Sequence, residues 1–158
     1  MLQRIQTLFL TLVVVSMGVV VSMPIWHKVS ISGGESVRLT ALALEYNQAA
    51  APVKATDNIY ITILALASAA IAVFSITQFK KRVFQMLLGT LNSLVIAVMM
   101  GLCFYLIFRQ GVPMFEPENQ GNYETGFFAA VAGLLSNMIA NRFIRRDEML
   151  VKSADRMR

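Results

Sequence analysis

The sequence predicts an all-α membrane fold, a four-transmembrane-helix bundle with a small β-hairpin or sheet in its first outer loop. Three observations lead there. Four apolar segments each reach the roughly 20 residues that a helix needs to cross about 30 Å of hydrocarbon. The only Asp, Glu, Lys, Arg or His within them is Arg142, close to the end of the fourth. The chain is 56% hydrophobic and 15% charged, with a mean hydropathy of +0.61. Soluble domains carry about 25% charge, so this chain is short of the groups that wet a globular surface. At 158 residues it forms a single membrane domain, 1–158.

The first span covers about 5–23 and stops at Pro24. A charged residue followed by an apolar stretch is similar to a signal peptide. No A-x-A-like cleavage site follows, so a retained span is expected. The first outer loop, 24–58, opens with Trp26, whose amphipathic ring suits a lipid–water boundary. Val29 and Ile31 alternate with Lys28, Ser30 and Ser32; Gly33-Gly34 follows; then Val37, Leu39 and Ala41 alternate with Arg38 and Thr40. Two period-two runs around paired glycines predict a hairpin. The remainder, 47–58, is Ala-rich with a proline and reads as a return segment.

The second span covers 59–79 and the third 83–108, joined by a short basic link. The second outer loop, 109–125, holds Gly111, Pro113, Pro117 and Gly121 and predicts irregular structure. The fourth span covers 126–144. The tail, 145–158, is basic and helix-compatible, continuing the fourth helix or lying along headgroups. Within it Asp147 is expected to pair with Lys152, and Asp155 with Arg158.

Orientation follows from charge. Arg4, Lys80, Lys81, Arg82, Arg142, Arg145, Arg146, Lys152, Arg156 and Arg158 fall on one side; Lys28, Arg38, Lys54 and Arg109 fall on the other. The positive-inside rule places the richer side, with both termini, in the cytoplasm. Glu35, Glu45, Asp57, Glu116, Glu118 and Glu124 lie outside. The net charge of +5 is assigned to this flanking role. No basic face interleaved with aromatics supports nucleic-acid binding.

The chemistry is defined mostly by what is missing. Cys103 stands alone, which removes an intrachain disulfide and dithiol redox chemistry. His27, in the outer loop, is the one histidine, so no axial pair for haem is at hand. Proton-coupled carriers bury an acid, base or histidine within a span, and nothing of that kind sits mid-span here. Ser16, Ser68, Ser75 and Ser93 lack an intramembrane base and are expected to bond within or between helices. Neither a cofactor nor a metal is implied. Gln6, Gln85, Asn92, Asn137 and Asn141 are candidates for polar packing, because an unbonded amide is costly in lipid. Gln78 belongs with them, and Ala65/Ala69, Ala97/Gly101 and Ala129/Gly133 permit close helix approach. The tail residues Arg145, Arg146, Asp147, Glu148, Lys152, Asp155 and Arg156 are the candidate interaction surface.

At Leu2-Gln3-Arg4-Ile5-Gln6-Thr7, and again at Ala140-Asn141-Arg142-Phe143-Ile144-Arg145-Arg146-Asp147-Glu148-Met149-Leu150-Val151-Lys152-Ser153-Ala154-Asp155-Arg156-Met157-Arg158, the chain resembles a bacterial family. It is the group of small four-helix membrane proteins called domain of unknown function 4293. The resemblance implies an inner-membrane location and supplies no activity. The segment Pro24-Ile25-Trp26-His27-Lys28-Val29-Ser30-Ile31-Ser32-Gly33 is similar to the start of the first outer loop of claudin-type proteins. That likeness implies a sheet-capped bundle; the family's Gly-Leu-Trp motif and cysteine pair are absent, so barrier function does not follow.

The expected function is a non-enzymatic membrane scaffold or accessory subunit of a larger envelope complex. Its partners would be the lipid bilayer and a membrane protein or a second copy of itself. The alternatives are a small transporter or lipid-binding protein lined by Gln85, Asn92 and Asn137, and a headgroup enzyme using Glu116, Glu118 or Glu124.

Overall fold

The computed structural model describes residues 2–31, 33–48, 51–78 and 81–156, and their side chains except at 2–4, 51–54 and 154–156. Its four helices are α1 (Leu2–Ser22), α2 (Ile59–Thr77), α3 (Arg82–Leu106) and α4 (Thr125–Arg156). All four are long and apolar enough to cross a membrane. Each packs against its neighbours in sequence, and α1 packs on α4 to close the ring. Close approach on that seam needs Gly133, where a Cβ would meet the Met17 methyl at 2.7 Å. Val13, Met17, Ala65, Ala72, Ile96 and Met99 fill the centre. Leu8, Ile63, Leu87, Leu94 and Leu135 point outward on the same helices. An apolar exterior around a packed apolar core is what a bilayer-embedded bundle presents, since lipid solvates the outer side chains. The pair Ala97/Gly101 faces outward, with no atom within 4 Å of the space a Gly101 Cβ would occupy, and so packs no helix of this bundle.

One end of the bundle carries a five-stranded antiparallel sheet of order β4-β3-β2-β1-β5. β1 (Trp26–Val29) and β2 (Glu35–Leu39) form the expected hairpin, with Gly33 at φ 71° in its turn. The facing of β1 departs from hydropathy: Trp26 and Lys28 are buried and Val29 is exposed. A lysine can face inward when its ammonium finds acceptors, and here it does. The segment expected as a return is instead strand. β3 (Ala43–Gln48) pairs with β4 (Ala51–Asp57), with a register irregularity between Tyr46 and Asn47. Pro52 is tolerated because β4 is an edge strand and one side of its ladder stays open.

The second outer loop is more ordered than its Gly/Pro content predicts. α3 runs on through a π-helical turn, Ile107–Gly111, and a 3-10 turn, Val112–Met114. β5 (Asn122–Tyr123) then pairs with β1 through Trp26 and His27. At the opposite end, α4 continues without a break well past 144, so the tail extends the helix. The Trp26 ring does not meet lipid: it is 0% exposed, beneath the loop.

Candidate functional sites at the two ends of the bundle

Between the ends, Asn92 and Asn137 turn toward one another. Asn92 Nδ2 donates to Asn137 Oδ1 at 3.2 Å. Asn137 Nδ2 donates to the Gly89 carbonyl at 2.7 Å and to Ser93 Oγ at 2.8 Å. Gln85 Nε2 donates to the Ser75 carbonyl at 3.1 Å, tying α3 to α2. Asn141 lies over Gly89 and donates to Thr90 Oγ1 at 3.3 Å. Gln6 is buried on α1, and its Nε2 makes no hydrogen bond within the described residues. Ser93 Oγ bonds back to Gly89, whereas the buried Ser68 and Ser75 hydroxyls have no partner there.

At the sheet end, the second outer loop is clasped to β1. Lys28 Nζ donates to the carbonyls of Val112 at 2.9 Å and Glu116 at 3.0 Å, and to that of Phe115. Its Nζ also lies 4.7 Å from the Phe115 ring centroid. Burial lowers the Lys28 pKa, an effect the nearby Glu116 carboxylate opposes. Ser30 Oγ donates to Glu116 Oε1 at 2.6 Å, and the Ile31 N–H to Oε2 at 3.2 Å. The Ser30 bond foremost, then that of Ile31, holds the Glu116 carboxyl below its usual range. Glu116 adopts φ 40°, a conformation that costs a side-chain-bearing residue about 1 kcal/mol. Its backbone and carboxylate bonds offset that cost.

Trp26 fills the space under the same loop. Its Nε1 donates to the Gln120 carbonyl at 3.0 Å. A Cβ at Gly111 would stand 2.7 Å from the ring, and one at Gly121, where φ is 70°, would stand 2.6 Å from the His27 carbonyl. His27 Nδ1 lies 2.7 Å from Glu124 Oε1, and Tyr46 donates to Glu35 at 2.8 Å, which raises the tyrosine pKa. Glu116 and Glu124 thus serve different partners, and Glu118 is exposed. Among the described residues no three His, Cys, Asp or Glu side chains gather into a metal-binding group.

At the other end, the α4 extension leans on the start of α3. Arg82 Nη2 lies 3.5 Å from Asp147 Oδ2, and Nη1 donates to the Asp147 carbonyl at 3.3 Å. Lys152 pairs with Glu148 at 3.4 Å. Asp147 therefore takes a partner on α3 in place of the expected Lys152, because the extension packs laterally. The expected partner of Asp155 and the side chain of Arg156 lie outside the described residues. Between α3 and α4 lies an open groove of about 1210 Å³, with Lys81, Arg82, Arg145 and Lys152 on its rim and Phe84 and Leu87 on its floor. Arg146 and Leu150 stand about a third of a turn round the helix from that groove and are exposed.

Lys28, Gly111 and Gly121 are absent from the sequence-derived candidates. The inward facing of Lys28 depends on carbonyls 84 to 88 residues away, which local patterning does not contain. A family model described as Domain of unknown function (DUF4293) matches residues 2–157. No curated protein matches the chain.

Proposed function

Because the chain belongs to this DUF4293 family, a description that assigns no activity, we propose its function from geometry: a non-enzymatic membrane scaffold, an accessory subunit of a larger envelope complex. It sits in a bacterial inner membrane with the α4 extension in the cytoplasm and the sheet outside. The observation that carries this reading is the direction of the buried amides. Asn92 and Asn137 bond to each other across α3 and α4, and Gln85 bonds to α2. Polar groups used this way hold helices together; a transporter would need them facing a passage. Surfaces left for partners lie at the ends, and the α4 face carrying Arg146 and Leu150 is the docking element for a membrane-protein partner or a second copy. The clustering of Lys81, Arg82, Arg145, Arg146 and Lys152 at that end supports the orientation. Aromatic packing of Phe104, Tyr123 and Phe127 near the sheet suits the opposite boundary. A claudin-like relation has the sheet cap in its favour and adds no activity.

A photocrosslinking residue at Leu150 tests the reading in cells. A discrete protein adduct, lost when Arg146 is changed to glutamate, is expected. Adducts to lipid alone would overturn it.

A further inference from the structure

We infer that the groove between the start of α3 and the α4 extension is a binding site for an anionic glycerophospholipid. Among the described residues four cations stand on its rim, and Glu148 is the one acid lining it. Arg82 is engaged by Asp147 and Lys152 by Glu148, which leaves Lys81 and Arg145 exposed and turned to the groove without an ion pair among the described residues. The excess positive charge selects an anion.

The floor selects what that anion is attached to. Phe84 is 40% and Leu87 65% exposed, and both line the groove, Phe84 while also making an edge-on ring contact with Phe74 of α2. A free phosphate would leave this apolar surface uncovered; acyl chains would cover it. Next to it, a smaller cavity of about 300 Å³ bordered by Ser93, Met138, Asn141 and Arg142 shares Arg145 with the groove. Cationic at the mouth, polar at the neck and apolar along the side, this seam follows the order of groups in a phospholipid. Basic pockets between helices at a cytoplasmic boundary recognise such headgroups. The site stands whichever protein the tail meets, since Arg146 and Leu150 lie on another face.

The test uses the full chain, purified in mild detergent, stripped of lipid and reloaded with phosphatidylglycerol or phosphatidylcholine before native mass spectrometry. Retention of phosphatidylglycerol about tenfold above phosphatidylcholine is expected. Changing Lys81 or Arg145 to glutamine lowers that retention by about fivefold, the equivalent of about 1 kcal/mol, and changing both abolishes the preference. Lys81→Arg and Arg145→Lys restore it, and Arg146→Gln leaves it unchanged. Helicity measured by circular dichroism identifies any variant that has failed to fold; the two lipids are also compared on the unaltered chain, which needs no variant. Equal retention of the two lipids would overturn the proposal. So would displacement of the lipid by millimolar inorganic phosphate, or a polypeptide crosslinked into the groove from Phe84.

Discussion

Lys28, on the first strand of the sheet, donates to the backbone carbonyl of Glu116 at 3.0 Å, while the carboxylate of Glu116 receives the hydroxyl of Ser30 on the strand's continuation. One cation and one anion thereby pin the loop after α3 to the sheet before α2. The two halves of the chain meet at their ends as well as along their helices.

Replacing Lys28 by methionine keeps the aliphatic stem and removes the ammonium. The carbonyls of Val112, Phe115 and Glu116 lose a charged donor, and bonds of that kind contribute about 1.5–3 kcal/mol. A loss of about 3 kcal/mol in stability is expected, read as a lower thermal midpoint in detergent. An unchanged midpoint would show that the clasp is not stabilising.

Gly121→Ala places a methyl against the His27 carbonyl and the Trp26 ring, at a residue with φ 70°. Overpacking costs about 1–3 kcal/mol, and the left-handed backbone adds about 1. Trp26 is the sole tryptophan, so its fluorescence reports the displacement directly. A red-shifted emission is expected, and a wild-type spectrum would contradict the packing described.

Asn92 and Asn137 should be energetically coupled. Replacing each by leucine, singly and together, gives a cycle whose coupling is expected near 1 kcal/mol, within the range for interhelical bonds in bilayers. Strict additivity would mean that the two amides act independently.

Acid should loosen the sheet end before the bundle. The Glu116 carboxyl titrates below its ordinary 4.5, so its stabilisation is complete above that pH and is lost as pH falls through the lower, folded value. Lys28 has the opposite charge and a folded pKa below 10.5, so between the two values the unfolded chain binds more protons and stability rises with pH. Between pH 6 and 8 Glu116 adds no slope, and the shift in Trp26 emission that its protonation causes should appear only below its ordinary 4.5. Glu116→Gln should remove the acid shift; if it persists in that variant, another group is responsible.

The legibility of these features follows their range. The four helices were readable because each apolar run reaches membrane length by itself, and the hairpin because Gly33-Gly34 separates two alternating runs. β4 was not: Ala51, Pro52 and Ala55 have little strand preference, and pairing with β3 overrides it. Arg82 and Asp147 meet across 65 residues, while sequence proximity pointed to Lys152. The amides were assigned to packing from the cost of burying them, but the pairing of Asn92 with Asn137 required the α3–α4 contact itself.

Native mass spectrometry of the chain extracted with its surrounding membrane in a mild polymer tests the central claim most directly. The account predicts a defined complex with a second polypeptide or a further copy of this chain, dissociated by substitutions at Arg146 and Leu150. A solitary protomer, carrying lipid and nothing else under conditions that preserve other membrane complexes, would contradict it.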